Sequence, residues 1–292
     1  MENSTILLSG AGGMLGRYIK AEAEAAGCKV IPLSLRDGSG VTSLPERPDV
    51  AIHCAGSEED EALNDRLGRG FLAALPAIAP RALLLVSSWQ VYSADAGEGV
   101  DETRPLWAST GVGRSKARME REFADAARAV GIPLVVVRPA RMFGSGVGGE
   151  MRRLFDRVVA GRYVHIRENN AKVSLVTALD CARAILALAG GSGVYNVCDG
   201  REHRWVDLCE AMSANAGEFK RMPRLPEKWA KVIRKFCPGL PIVRLTLSDE
   251  ALKPVSTSFT LDISRLRSDV DIEFHDTLEV IARRDKSYSY EN

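Results

Sequence analysis

The sequence predicts an α/β fold, a doubly wound parallel sheet followed by a smaller C-terminal domain. Short apolar runs alternate with amphipathic helical segments through the first half of the 292-residue chain. These runs are nearly continuous, as is typical of strands that helices cover on both faces. A glycine-rich turn joins the first apolar run to the first helical segment. Together these observations predict parallel strands joined by helical crossovers.

The first half supplies the elements of the predicted sheet in chain order. Strands are predicted at Thr5–Ser9, Lys29–Leu33, Val50–Cys54, Ala82–Val86 and Leu134–Arg138. Helices are predicted at Leu15–Ala26, Glu58–Ile78 and Arg114–Val130. Gly27 suits the end of the first helix, and the acidic residues that open the second helix suit the positive end of its dipole.

The second half is less regular. A strand is predicted at Val173–Thr177, a helix at Cys181–Ala189 capped by Asp180, a strand at Val194–Val197 and a helix at Val206–Ala216. From Lys220 onward prolines are frequent, and the polar last residues, 283–292, are expected to fray. We predict a first domain over residues 1–165 and a smaller substrate-binding region over 166–292. Parts of 172–198 are expected to return to the core of the first domain.

Composition excludes several classes of partner. Apolar residues make up 46% of the chain, charged residues 26%, and the formal net charge is +1. No overall field therefore favours nucleic acid or a membrane as partner. The most basic stretch runs from Lys220 to Lys235. Four apolar residues in it, Trp229, Val232, Ile233 and Phe236, fall at helical spacing. We interpret it as a packed helix with its charges in water, and a phosphate-binding patch is the less favoured alternative.

The cysteine and histidine patterns favour a reduced protein without a metal site. Six cysteines show no C-x-x-C pair, and most lie inside apolar runs, which is typical of buried thiols in the cytoplasm. Four histidines are scattered without ligand spacing, so no metal site is expected. The sequence contains no 18-residue apolar segment and no leader-like N-terminus.

The strongest motif is SGAGGMLG at residues 9–16. Gly10, Gly13 and Gly16 stand between a strand and a helix, where glycines permit a tight turn and let the backbone approach a pyrophosphate. The free N–H groups at the helix start, which include Met14 and Leu15, would then meet the phosphates. Because the motif follows the first strand of an alternating chain, we predict dinucleotide binding rather than a purely structural turn.

An acidic residue about 20 positions beyond the last glycine would bind the adenosine ribose of NAD. Counting from Gly16 leads instead to Arg36, which suits the 2′-phosphate of NADP. The next residue is Asp37, an acid that could bind the ribose of NAD, so NAD remains an alternative cofactor. The sequence therefore predicts NADP or NAD, with a mild preference for NADP.

Several further segments occur in one order along residues 5 to about 215. They are PDVAIHCAG (48–56), LLLVSSWQVYS (83–93), VDETRPL (100–106), GRSKARMERE (113–122), VVVRPARMFG (135–144), VTALDCARAI (176–185) and GVYNVCDG (193–200). With the glycine motif, this order resembles the extended short-chain dehydrogenase/reductases. More narrowly it resembles their NAD-dependent epimerase/dehydratase group, which acts largely on nucleotide sugars. The resemblance implies a Rossmann-type dinucleotide-binding fold.

The resemblance also implies roles for individual positions. Cys54, Ala55 and Gly56 would line the adenosine side of the cofactor, and Pro139 would lie near the nicotinamide. Ser88, four residues before Tyr92, would donate a hydrogen bond to the substrate oxygen that changes charge during hydride transfer. Lys116 would bind the nicotinamide ribose and lower the pKa of a neighbouring tyrosine. Tyr92 is expected to be structural.

One position departs from the family pattern in a way that affects chemistry. The family pattern Y-x-x-x-K sets a phenol and an amine on one helical face, but here the five residues are Val112-Gly113-Arg114-Ser115-Lys116. No tyrosine lies between Tyr92 and Tyr163, so sliding the alignment does not recover one. The usual general acid/base is missing, and Val112 is placed in the substrate site.

Two further departures concern the substrate. Trp89 and Gln90 are neutral where members of the group that eliminate water usually carry acids, which argues against dehydration. Arg141 stands in RPARMFG where the group often has asparagine. It could clamp a phosphate or carboxylate, or it could form a surface ion pair.

The sequence is compatible with two functions. The favoured one is an NAD(P)-dependent oxidoreductase or epimerase acting on a sugar-like alcohol or ketone, with a nucleotide-activated sugar as one candidate. In it Ser88 and Lys116 carry the catalysis. The alternative is a dinucleotide-binding sensor or partner subunit with little turnover. We expect a cytoplasmic protein that binds no nucleic acid or membrane, and a homodimer stays open.

Overall fold

The computed structural model describes residues 3–35, 46–217, 222–236 and 255–283. The cofactor-specificity residues Arg36 and Asp37 lie outside these ranges. Residues 284–292, which make up most of the tail expected to fray, also lie outside them.

A parallel sheet of six strands is the largest sheet in the described part of the chain. Its strands are β1 (Thr5–Ser9), β2 (Lys29–Leu33), β3 (Val50–His53), β4 (Ala82–Val86), β6 (Leu134–Pro139) and β11 (Gly193–Val197). Their spatial order is β11-β6-β4-β3-β1-β2, and all pairings are parallel. The order reverses between β1 and β3, the switch point outside which open α/β sheets bind ligands. The predicted doubly wound parallel sheet is confirmed.

The remaining elements follow in chain order. The other helices and strands are α1 (Met14–Ala25), α2 (Glu61–Ile78), β5 (Gly97–Val100), α3 (Gly111–Val130), β7 (Arg141–Phe143), α4 (Gly149–Val159), β8 (His165–Ile166), β9 (Lys172–Val173), β10 (Leu175–Thr177), α5 (Ala178–Leu188), β12 (His203–Arg204), α6 (Trp205–Asn215), β13 (Arg224–Leu225), α7 (Glu227–Phe236), β14 (Phe259–Leu261), α8 (Ser264–Asp269) and α9 (Thr277–Ala282).

Side-chain caps set the true starts of two helices near the site. Asp60 caps α2, because its carboxylate accepts the N–H of Leu63 at 2.8 Å, so the helix begins three residues later than predicted. Thr110 caps α3 by accepting the N–H of Gly113 at 2.9 Å, so this helix begins three residues earlier than predicted. Val112 therefore lies inside the first turn of α3.

Helices cover both faces of the sheet. On one face α1 and α5 pack over alternate strand residues such as Ile6 and Leu84. On the other face α2 and α3 meet over Leu7 and Leu83, with Phe71 fully buried between helix and sheet. This alternation explains why the strands are apolar throughout.

A second apolar cluster lies outside the sheet. It joins α4, which the sequence did not predict, to α6 and α9 through residues such as Leu154, Met212 and Ile281. α4 has a regular apolar stripe, but the glycines around it conceal its start in the sequence. The division of the chain at residue 165 remains a prediction.

The C-terminal residues return to the main core. β14 pairs in parallel with β5 and β9, and Phe259 and Leu261 join the cluster over the sheet. Asp180 helps to anchor this segment, because its buried carboxylate accepts hydrogen bonds from the N–H of His275 at 2.9 Å and pairs with its ring at 2.8 Å. The prediction that Asp180 caps α5 is wrong, since Thr177 provides the cap through the N–H of Asp180.

The basic helix α7 packs differently from the prediction. Ala230 and Ile233 contact Ile166 and Leu225, but the other apolar residues of this helix, Trp229, Val232 and Phe236, are exposed by 53%, 42% and 72%. The prediction that all four spaced apolar residues pack inward is therefore wrong for three of them. Within the described ranges, no helix combines the length and apolar character needed to cross a bilayer.

Candidate functional site

A cavity of about 1250 Å³ opens at the carboxyl ends of β1, β3, β4 and β6. It brings together most of the residues that the sequence assigned to a site. Those that line it are Gly10, Gly13, Met14, Leu15, Gly16, Cys54, Gly56, Ser88, Trp89, Gln90, Val112, Lys116, Pro139 and Arg141. Ala55 does not line the cavity and packs behind the glycine turn, and Arg36 lies outside the described residues.

The glycine turn after β1 has the shape of a phosphate cradle. Gly10 adopts φ +78°, and a Cβ there would lie 2.6 Å from the N of Ala55. A Cβ at Gly16 would collide with the carbonyl of Gly10. By contrast Gly13 is exposed, with an ordinary φ of −74°, and a Cβ there would approach nothing nearer than the Gly10 oxygen at 3.2 Å. Gly10 and Gly16 are needed for packing, whereas Gly13 keeps the cavity side of the turn open.

The start of α1 points its uncapped end at this cavity. Gly13 is the N-cap residue and provides no side-chain hydrogen bond, so the first N–H groups of the helix depend on another acceptor. The helix dipole adds partial positive charge at the same end. These features fit the pyrophosphate of a dinucleotide.

The loop after β3 forms a second wall against Lys116. A Cβ on Gly56 would lie 2.9 Å from Asn64 Oδ1 and 3.3 Å from Lys116 Nζ, so only glycine leaves both groups in place. Asn64 is fully buried and fixes this loop by exchanging hydrogen bonds of 2.7 and 2.9 Å with the backbone of Ser57. Burial raises the pKa of the Cys54 thiol to about 11, which makes it a poor proton donor at neutral pH.

Lys116 is a buried amine in this wall. It is 7% exposed, and its Nζ donates a hydrogen bond of 2.9 Å to the carbonyl of Val86 at the end of β4. No carboxylate in the described ranges comes within ion-pair distance of it. Burial lowers the pKa of Lys116.

Ser88 follows β4 on the same side of the cavity. Its Oγ accepts the N–H of Gln90 at 3.1 Å, which leaves the hydroxyl hydrogen to donate. The side chain of Gln90 accepts a hydrogen bond of 2.8 Å from Thr110, the residue that caps α3. The Ser88 turn and the start of α3 are thus joined by side-chain hydrogen bonds.

Val112 lies between these groups on α3. It is 7% exposed and lines the cavity one helical turn before Lys116. A Cβ on Gly113 would collide with the carbonyl of Gln90, so this glycine allows α3 to approach the Ser88 turn closely. The helix therefore presents positions 112 and 116 to the cavity together, as the Y-x-x-x-K pattern requires.

Tyr92 belongs to a buried network outside the cavity. Its hydroxyl receives a hydrogen bond of 2.7 Å from Arg138 and donates one of 2.9 Å to Asn196. Arg138 also forms a buried ion pair of 2.6 Å with Glu120. This network links β6, α3 and β11 at one edge of the sheet.

Arg141 also lines the cavity and is the first residue of β7. It is 8% exposed, its guanidinium carbon lies 3.8 Å from the ring centre of Trp89 and 4.9 Å from that of Trp205, and its Nε lies 3.3 Å from Glu150. The alternative of an ion pair is thus confirmed in part: Arg141 pairs with Glu150, but its own side chain is buried rather than at the surface.

Sequence reasoning missed the charged residues at the mouth of the cavity. Glu58, Glu59, Glu150 and Arg153 line it, and Glu59 pairs with Arg153 across the opening. The sequence predicts for the acidic run at 58–61 only that it complements the helix dipole. The sequence offers one indication of this arrangement, the glycines before Glu150. Gly149 lets the chain pass close to Glu58, because a Cβ on Gly149 would collide with the Glu58 carboxylate.

One group of potential metal ligands occurs elsewhere in the described ranges. Ligand atoms of Asp199, His203 and Asp276 lie within 4.8 Å of one another. Asp199 already pairs with His203 at 2.7 Å and accepts the N–H of Thr277, and Asp276 pairs with Arg201. These interactions give the cluster a structural role, because they connect the start of α9 to the loop before α6.

Comparison with known proteins places this geometry in a family. The model of the NAD dependent epimerase/dehydratase family matches residues 6–198. A dTDP-4-dehydrorhamnose reductase of Mycobacterium tuberculosis is 29% identical in an alignment of 209 residues that covers 63% of this chain. The match spans 65% of that relative's length.

Solved structures share the fold over nearly the whole chain. A putative epimerase of Burkholderia cenocepacia superposes with a TM-score of 0.71 at 22% identity, covering 96% of both chains. UDP-glucose 4-epimerase of Thermotoga maritima, solved with UDP-glucose, gives 0.70 at 18% identity, covering 97% of this chain and 98% of that one. RMD of Pseudomonas aeruginosa, solved with NADPH, gives 0.69 at 20% identity, covering 97% of each.

The matched region contains the sheet, the glycine turn, Ser88, Lys116 and Arg141. The fold, the turn and the order of the motifs agree with one another and with the family model. The chain belongs to the NAD dependent epimerase/dehydratase family.

Proposed function

We propose that this protein is an NAD(P)-dependent oxidoreductase or epimerase acting on a sugar-like alcohol or ketone, with a nucleotide-activated sugar as the favoured substrate. The observation that carries the proposal is the shared cavity: Ser88 and Lys116 line the same space as the phosphate turn. The relatives whose names mention dTDP-4-dehydrorhamnose and UDP-glucose support the sugar class.

The residues around the turn fit a nicotinamide dinucleotide. Gly13 and the N–H groups at the start of α1 would hold the pyrophosphate, and Cys54, Gly56 and Lys116 form the adjoining wall. The bound nicotinamide would accept or supply the hydride. Pro139, at the end of β6, lines the far side of the same cavity.

Ser88 would polarise the reacting oxygen of the substrate. Its hydroxyl accepts a backbone N–H and is therefore a stronger donor toward a ligand, because successive hydrogen bonds polarise one another. A fixed donor at an oxygen that gains negative charge stabilises the transition state.

Lys116 would supply the proton that tyrosine usually handles. It lies one turn after Val112 on the same face of α3, and burial lowers its pKa, so its ammonium releases a proton more readily than an exposed lysine. A water molecule would fit the relay from Nζ to the substrate, because Val112 is much smaller than tyrosine. Ketone reduction should then slow as the pH rises through the lowered pKa of Lys116.

NADP(H) is the preferred cofactor in this proposal. β2 pairs with β1 in register, with Leu33 opposite Ser9, so the chain leaves β2 beside the glycine turn. Arg36 follows three residues later and suits a 2′-phosphate.

Val112 favours a second candidate, a dinucleotide-binding sensor or partner subunit with little turnover. General acid–base assistance contributes about 10²–10⁴-fold to a rate, so its loss would cripple an ordinary reductase. The buried amine of Lys116 and the free hydroxyl of Ser88 favour the enzyme.

The test is a turnover assay on the full chain with NADPH and dTDP-4-dehydrorhamnose, and with NAD⁺ and UDP-glucose. Ser88→Ala should lower kcat by about 10²-fold or more and leave dinucleotide affinity unchanged. Ser93→Ala, a hydroxyl lost elsewhere on the cavity wall, is the matched control. If the protein binds the dinucleotide but turns over neither sugar, the second candidate, a dinucleotide-binding sensor or partner subunit, is favoured over the enzyme. Equal turnover in Ser88→Ala would remove Ser88 from the mechanism.

A further inference from the structure

Arg141 has more donors than the protein satisfies. A guanidinium carries five N–H groups. In the described part of the chain, its hydrogen bonding consists of one contact, from Nε to Glu150 at 3.3 Å. The four N–H groups of its terminal nitrogens have no protein acceptor there. Burial of a charge with so few partners is unfavourable unless a ligand completes them.

The position of Arg141 is fixed by its surroundings. Its backbone pairs with Leu175 in the β7–β10 ladder, and the preceding Ala140 donates an N–H to Val197 at 2.8 Å. The indole of Trp89 lies against the guanidinium, at 3.8 Å. A side chain held in this way loses little conformational entropy when it binds a ligand.

Trp89 connects Arg141 to the reacting centre. It directly follows Ser88, the residue that would hold the reacting oxygen, and Ser88, Trp89 and Arg141 line the same cavity. The cationic group therefore stands close to the substrate rather than at the far, adenosine end of the cavity.

We propose that Arg141 binds an anionic oxygen group of the substrate, a carboxylate or a phosphoryl group, beside the carbon on which the protein acts. The inference rests on the proposed function for the identity of the reacting centre. The planar fork of arginine matches two oxygens of either group through parallel hydrogen bonds. The protein thus selects substrates that carry a negatively charged group at this place.

Glu150 acts in this proposal as a resident carboxylate. Its side chain is 35% exposed and lines the cavity, so it can move away when a ligand arrives. It competes with the ligand for Arg141. Removing its charge should therefore strengthen anion binding, whereas a purely structural Arg141–Glu150 pair gives no such gain.

The experiment measures binding by calorimetry to the full chain saturated with NADP⁺, with UDP-glucuronate and UDP-glucose as probes. The two probes share a diphosphate and differ by one carboxylate. Arg141→Met should weaken anion binding by about tenfold or more, and Glu150→Gln should strengthen it several-fold. Arg152→Met removes an exposed charge from the neighbouring helix, outside the cavity lining, and is the matched control.

The two sources of the anion give different results. A substrate carboxylate is indicated if UDP-glucuronate binds the more tightly and Arg141→Met abolishes the difference. A phosphoryl group is indicated if Arg141→Met weakens both probes equally and Glu150→Gln strengthens both. The proposal is overturned if neither probe binds at millimolar concentration, or if the Arg141 variant changes neither affinity.

Two further controls separate this inference from protein stability and from turnover. Arg141→Lys keeps the charge but loses the planar fork, so its affinity for the anionic probes should lie between those of the unmodified protein and Arg141→Met. This variant also tests the proposal if Arg141→Met folds poorly. Because the readout is binding, anion recognition without turnover would support this inference while contradicting the enzymatic proposal.

Discussion

Val112 presents an aliphatic side chain to the cavity at the position where we expect the tyrosine of the family pattern. The turn-to-turn relation with Lys116, the close approach at Gly113 and the Thr110 cap that links α3 to the Ser88 turn are all present. In the proposed mechanism, the group that this position lacks is a hydroxyl. This makes position 112 a place where a single residue tests the mechanism.

Val112→Tyr should raise reduction of simple ketones by NADPH, by about tenfold or more. The phenol would stand one turn from Lys116, whose charge stabilises the phenolate and brings its pKa closer to neutral pH. The measurement is the initial rate of NADPH oxidation with a simple ketone in excess.

Val112→Phe is the matched control, because it adds the ring without the hydroxyl and should give no gain. Adding Lys116→Ala to Val112→Tyr should remove the gain, since the two groups act as a unit. If the tyrosine variant binds NADPH normally and reduces nothing, hydride transfer is not the task of this protein.

Among the structural elements, the turn between β1 and α1 shows that its three glycines are not equivalent. Gly10 has a positive φ, and side chains at Gly10 or Gly16 would meet backbone atoms. Gly13 has an extended backbone that any residue can adopt, and its Cα faces the cavity. Substitution at Gly13 therefore separates binding from folding.

Gly13→Val should abolish dinucleotide binding, because a branched side chain would fill the approach path of the pyrophosphate. Its melting temperature without cofactor should stay close to that of the unmodified chain. The measurement is NADPH fluorescence titration together with a thermal melt.

Gly12→Val is the control within the same turn. Nothing lies within 4 Å of a Cβ at Gly12, and this residue does not line the cavity, so NADPH affinity should be retained. Normal affinity in the Gly13 variant would show that the phosphate site has been misplaced.

Considered as a whole molecule, the protein assembles its cavity from distant parts of the chain. Gly10 and Phe259 both line it, and the segment from 255 to 283 closes over the sheet through Leu261, Leu266 and the Asp180–His275 pair. A ligand in this cavity contacts walls that exist together only in the folded chain. Its binding should therefore stabilise the entire fold.

NADPH should raise the melting temperature of the unmodified protein more than NADH at equal concentration. A ligand at one hundred times its Kd adds about 2.7 kcal/mol of stability, so differences in Kd between the cofactors appear as differences in melting temperature. Arg36→Ala should narrow the gap between the two cofactors, because it removes the group expected to bind the 2′-phosphate.

Arg128→Ala, an exposed charge in the last turn of α3, is the control and should leave the gap unchanged. Equal shifts by NADPH and NADH in the unmodified protein would contradict the NADP preference.

The sequence by itself determined the parallel sheet, the glycine turn and the residues placed around one cavity. It could do so because these features depend on local patterns: alternation of apolar runs, the spacing of glycines and the (i, i+4) relation of 112 to 116. Strand ends of a parallel sheet meet at one edge, so residues following β1, β3, β4 and β6 had to converge.

Tertiary structure alone decided the features that need partners far apart in the sequence. Arg141 is a buried cation because Trp89 and Trp205 pack against its guanidinium. Its partner Glu150 lies on α4, a helix that the sequence did not predict because glycines surround its start. Asp180 was predicted as a cap, but it holds His275, 95 residues away. No local pattern encodes such contacts, because they arise from the packing of whole elements against one another.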